Sequence, residues 1–69
     1  MIYAIDFDGT IVTHTFPRMG EAVPGAFETM RDLQEEGHQL ILYTMRSGGY
    51  LEDAVEFCRE KGIEFWGVN

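Results

Sequence analysis

The sequence is poor in cysteine, proline and lysine, and it has no long apolar run. Its single cysteine, Cys58, rules out an internal disulfide. Cys58 falls among apolar positions of an expected helix, where a buried, inert thiol is the ordinary outcome. No apolar stretch approaches membrane-spanning length. The opening Met1-Ile2-Tyr3-Ala4-Ile5-Asp6 lacks the basic start and small-residue cleavage site of a secretory signal. A soluble cytoplasmic protein is the expectation. Basic residues are scarce as well: five Lys and Arg stand against 12 Asp and Glu, for a formal net charge of -7. That balance argues against nucleic acid or an anionic membrane surface as partner. An acidic protein that handles phosphate must neutralise charge locally, and a divalent cation is the usual means.

What is present is enough for one small domain, residues 1–69. Hydrophobic residues make up 45% of the chain and charged residues 25%, a globular rather than a disordered balance. A chain this short buries a modest share of its surface, so its margin over conformational entropy is thin. Three short apolar runs read as parallel strands covered on both faces, because they lack polar alternation: residues 2–6, 39–43 and 64–68. Two helices are expected between them, over 24–36 and 50–61. In the first, Pro24 suits the opening helical position and Phe27, Met30 and Leu33 form one stripe. Glu28, Arg31, Asp32 and Glu35 lie off it, and Gly37 is placed to cap the end. In the second, Leu51, Ala54, Val55 and Cys58 keep the i, i+3, i+4, i+7 spacing, and Gly62 stops the helix. The order strand–helix–strand–helix–strand implies an α/β fold with right-handed crossovers and three parallel strands.

Residues 11–22 form an unusually long connection after the first strand. It lies at a strand's carboxyl end, where open α/β sheets bind ligands. Directly before it stands Asp6-Phe7-Asp8-Gly9-Thr10. Two carboxylates two residues apart at a strand exit can share one crevice, and Gly9 lets the backbone turn its N–H groups toward an anion. One carboxylate can attack phosphorus while the other gives and takes a proton. An ordinary turn capped by Asp side chains is the bland alternative. A calcium loop competes poorly, since its twelfth position would be Pro17 rather than a glutamate.

The pentapeptide resembles the first signature of the haloacid dehalogenase superfamily of phosphohydrolases. The resemblance implies a Rossmann-like half-domain with Asp6 as nucleophile, forming an aspartyl-phosphate, and Asp8 as general acid/base. It also implies Mg²⁺ held by the Asp6 carboxylate and the Asp8 backbone carbonyl, with Gly9 and Thr10 beside the phosphate. Leu40-Ile41-Leu42-Tyr43-Thr44 resembles the second signature, which makes Thr44 the hydroxyl that holds the phosphoryl group. Adjacent strands lie about 4.8 Å apart, so Thr44 and Asp6 can reach one phosphate. The run Thr44-Met45-Arg46-Ser47-Gly48-Gly49, with Leu51, Ala54, Val55, Cys58, Gly62, Phe65, Val68 and Asn69, is similar to small bacterial and phage members about twice this length.

The family's later signatures, a Lys or Arg and an acidic metal-binding group, lie beyond the third strand and have no counterpart before Asn69. Lys61, at the far end of a helix, does not replace the cation. Arg46 is the better substitute for phosphate binding, with an exposed loop arginine as the alternative. Glu52 and Asp53 are weak candidates for metal. His14 and Arg18 can touch substrate, although a plain surface role suits a lone exposed histidine. The expected activity is therefore Mg²⁺-dependent phosphohydrolysis of a phosphorylated small molecule or phosphoprotein, weak or absent in this chain alone. A catalytically incomplete fragment, or a phosphate-binding and partner-pairing module, is the alternative. A bare edge on the first strand would call for a second copy or a complementing half-domain. The substrate itself is not legible.

Overall fold

The computed structural model describes all residues, 1–69. The chain is α/β: β1 (Ile2–Asp6), α1 (Ala26–Glu35), β2 (Gln39–Tyr43), α2 (Gly48–Glu60) and β3 (Gly67–Val68). The strands form one parallel sheet in the order β1-β2-β3, with β2 central. Ile5 stands opposite Leu42 and Asp6 opposite Tyr43, so the ends of β1 and β2 are level.

The expected coverage of both sheet faces is not found. Burial alternates along β1 and β2, with Tyr3, Ile5, Leu40 and Leu42 inward. Both helices contribute to the core on that side: Phe27 and Met30 from α1, Ala54 and Cys58 from α2, joined by Phe7, Ile11, Val12 and Ile63. The helices also touch each other, since the Phe27 and Phe57 rings meet edge-on at 5.8 Å. Ile2, Ala4 and Tyr43 on the other face are exposed and Ile41 is half-buried. An apolar run gives the same pattern whether or not a second layer covers it.

Three boundaries differ from the sequence reading. Pro24 does not open α1. The Ala26 N–H donates to the Val23 carbonyl (3.1 Å), and Gly25 has φ 86° and ψ -14°. Val23-Pro24-Gly25-Ala26 is therefore a type II turn, which takes proline second and a left-handed glycine third. The helix follows it and ends at Glu35. Helix α2 begins at Gly48, two residues earlier than expected, so Glu52 and Asp53 lie beyond its first turn. The third strand shrinks from 64–68 to Gly67–Val68 because α1 holds its approach. The Glu64 N–H donates to Gln34 Oε1 (2.8 Å) and Gln34 Nε2 donates to the Gly62 carbonyl (3.0 Å). The chain meets β2 only where the Trp66 N–H reaches the Leu40 carbonyl at 2.7 Å.

The glycine stops behave as read. At Gly37 (φ 90°) the His38 N–H donates to the Leu33 carbonyl and Gly37 to Gln34. At Gly62 (φ 88°) Ile63 donates to Cys58 and Gly62 to Arg59. Both are Schellman motifs, in which a left-handed residue closes the last carbonyls of the helix.

Candidate active site

Beyond Asp6 the chain makes one tight turn, in which the N–H groups of Thr10, Ile11 and Val12 all approach the Phe7 carbonyl at 2.9 to 3.2 Å. Phe7, Ile11 and Val12 are fully buried, so this turn is anchored in the core. The long connection then doubles back as a narrow hairpin. The Thr13 N–H donates to the Glu21 carbonyl (2.8 Å), the Glu21 N–H to Thr13 Oγ1 (3.0 Å), and Val12 bridges Ala22. Gly20 permits that closeness, since a Cβ there would collide with the Thr13 carbonyl. The hairpin stands over the carboxyl ends of β1 and β2.

Between hairpin and strand ends lies a cleft of about 290 Å³, lined by Asp6, Phe7, Asp8, His14, Phe16, Thr44, Met45 and Arg46. Asp6, Asp8 and Thr44 thus share one pocket, two of them from the β1 exit and one from the β2 exit. His14 also lines it, although a surface role was the plainer expectation. Arg18 contributes a backbone carbonyl rather than its side chain.

The Gly9 and Thr10 N–H groups do not face an anion. Gly9 has the expected left-handed backbone (φ 89°), but its N–H donates to the Val12 carbonyl at 2.7 Å and that of Thr10 is directed at Phe7. Both amides serve the turn itself. The Thr10 side chain borders grooves beside β1 and α1 instead of the cleft.

Arg46 is the residue whose setting the sequence concealed. It is only 5% exposed, which discards the exposed-loop alternative. Its Nε donates to Asp8 Oδ2 (2.8 Å) and one Nη2 proton to Asp8 Oδ1 (2.7 Å), a bidentate pair. Nη2 also donates to the Arg18 carbonyl (3.1 Å), and Nη1 lies 3.5 Å from the Tyr50 carbonyl. The guanidinium sits 5.0 Å from the Phe7 ring centre and 5.1 Å from that of Phe16. Its backbone N–H donates to Thr44 Oγ1 (3.1 Å), orienting that hydroxyl. The hydrogen bonds from Arg46 hold the Asp8 carboxyl below the usual carboxylate range, against the opposing effect of burial. Most of the guanidinium's donors are therefore engaged before any phosphate arrives.

The donor set can be weighed against Mg²⁺. Asp6 is exposed and has no ion-pair partner. The Asp8 carbonyl accepts no backbone hydrogen bond. One carboxylate plus one carbonyl fits the cation, which keeps several waters and shares its shell with substrate phosphate. No cluster of three or more His, Cys, Asp or Glu side chains gathers anywhere, and Glu52 and Asp53 do not line the cleft. Lys61 caps α2 with its ammonium 5.5 Å from the Phe57 ring centre, and it does not line the cleft.

A solved structure of a conserved protein from Bacteroides thetaiotaomicron is 52% identical to this chain and superposes on it with a TM-score of 0.96. The match covers 100% of this chain and 57% of that one, so the chain spans a little over half of its relative's length. No protein-family model and no curated protein matches the sequence.

Proposed function

We propose that this chain carries the nucleophile-bearing half of a Mg²⁺-dependent phosphohydrolase of haloacid dehalogenase type. The observation that carries the reading is the meeting of Asp6, Asp8 and Thr44 in one cleft at the ends of adjacent parallel strands. Asp6, exposed and without an ion-pair partner, attacks phosphorus; the new P–O bond forms as the bond to the leaving group breaks, and Asp8 in its protonated form gives its proton to the departing oxygen. Thr44, whose hydroxyl oxygen already accepts from Arg46, donates a hydrogen bond to a phosphoryl oxygen. Water then attacks the aspartyl-phosphate, Asp8 accepts that water's proton, and inorganic phosphate leaves with Asp6 restored. Arg46 favours the carboxylate form of Asp8, the form that takes the water's proton in the second step, and opposes the proton donation of the first. The Asp6 carboxylate and the Asp8 carbonyl would hold Mg²⁺, which would offset the charge of a phosphate dianion beside two acids. The remaining donors of this cleft belong to the other part of a complete site, supplied by a complementing half-domain or a second copy along β1.

With Mg²⁺ and 4-nitrophenyl phosphate, turnover is expected to be slow and to disappear in Asp6→Asn. Turnover that survives Asp6→Asn removes the reading. A non-catalytic phosphate-binding module is favoured by one observation, the engagement of both Asp8 oxygens by Arg46. Calorimetry with Mg²⁺ and beryllofluoride separates the two: the enzyme forms a beryllofluoride adduct on Asp6, and the module forms none.

A further inference from the structure

The mouth of the cleft is apolar. Phe16 is 49% exposed, Tyr50 51% and Met45 94%, and Phe16 and Met45 line the same cleft as Asp6 and Thr44. The Phe16 and Tyr50 rings meet edge-on at 5.6 Å. Single exposed apolar side chains need no explanation. Exposed apolar side chains that border one cleft beside two carboxylates are different, since apolar patches at a pocket mark binding surfaces. The Met45 side chain stands almost wholly in water, so packing does not account for it. Phe16 is held from below by the Arg46 guanidinium, 5.1 Å from its centre, and that guanidinium is itself fixed by Asp8. The aromatic wall is therefore in position before a ligand arrives, which lowers the entropy cost of binding.

We infer that the Phe16–Tyr50–Met45 rim selects phosphate monoesters whose leaving group is a flat aromatic ring. The inference rests on the phosphohydrolase reading and names its substrate class. A phosphate seated between Asp6 and Thr44 directs its ester substituent toward the opening, where Phe16 and Met45 stand and Tyr50 backs Phe16. A ring there gains edge or face contact with Phe16 and an adaptable thioether from Met45. A polyol would instead press hydroxyl groups against apolar side chains that offer no hydrogen bond.

Calorimetry with two non-hydrolysable probes, methylphosphonate and phenylphosphonate, in the presence of Mg²⁺ tests it without requiring turnover. Phenylphosphonate is expected to bind roughly tenfold more tightly, the equivalent of partial burial of one ring. Phe16→Ala and Met45→Ser should each shrink that ratio, and Phe16→Tyr should keep it. Equal affinity for the two probes overturns the inference and leaves the phosphohydrolase reading standing. Failure of both probes to bind overturns both. Free phosphotyrosine compared with a phosphotyrosyl peptide separates the sources of the ring: equal affinity points to a small molecule, and tighter peptide binding to a protein.

Discussion

Arg46 ties the site together, and its value depends on what it holds. It joins the turn after β1, the hairpin and the start of α2 through Asp8, the Arg18 carbonyl and the Tyr50 carbonyl. Removing one member of a buried ion pair strands the other, at about 3–5 kcal/mol, whereas replacing both by apolar groups costs far less. Asp8→Ala should therefore destabilise the chain more, in urea unfolding, than the double variant Asp8→Ala/Arg46→Met. The reverse order would mean that the pair is not the anchor its distances describe. Because the Asp8 folded-state pKa is depressed, its contribution is intact above the unfolded value, about 3.9. It is lost as pH falls through the folded value, so Asp8→Asn should flatten the acid limb of the stability profile. Cys58 shows the opposite sign. Burial pushes its thiol up to about 12, so its contribution is complete below the unfolded value near 8.5 and declines as pH rises toward 12. At pH 8 the folded chain should resist a disulfide reagent that reacts with Cys58 in urea; fast labelling of the native chain would contradict its burial.

At the scale of elements, two glycines make separable predictions. Gly37→Ala forces a left-handed backbone on a Cβ residue, a strain of roughly 1–2 kcal/mol, and should lower the melting temperature without altering the cleft. Gly20→Ala drives a Cβ into the Thr13 carbonyl and should loosen the hairpin that carries His14 and Phe16. Its signature is faster amide exchange at Thr13 and Glu21, with that at β2 unchanged. The same elements mark how far the sequence could be read. Asp6 and Asp8 were legible because a strand exit fixes where a side chain goes, Thr44 through the resemblance of its strand end to a family signature, and the two helix stops because a left-handed cap favours glycine. The Pro24-Gly25 pair carried two local meanings, helix start and type II turn, and only the Val23 carbonyl chose between them. The partnership of Arg46 with Asp8, 38 residues away, had no local signal. Gly20 had none either, since its constraint is a neighbour across the hairpin. The early part of the third strand was lost to Gln34, a side chain whose reach no apolar pattern records.

At the scale of the whole molecule, the sheet is covered on one side and open along both edges, the β1 edge being the longer. Ile2, Ala4 and Tyr43 face outward opposite the helix layer, and β1 has a partner only on its β2 side. No helix is long and apolar enough to cross a membrane. An open, flat strand edge is a pairing site, and the chain should sediment as an assembly at micromolar concentration, through a second copy or an added complementing half. Light scattering that finds a stable folded monomer would count against that expectation. Replacing Ala4 by lysine, on the outward face of β1, should shift the population toward monomer while leaving the inward core residues in place.

A chain paired along β1 would lie on the strand that ends in Asp6, so occupancy of that edge and occupancy of the cleft would be linked equilibria. Whatever factor a phosphate ligand adds to the affinity of an edge-bound chain, that chain returns to the phosphate. Titrating either one in the presence of the other measures the same thermodynamic square from opposite corners.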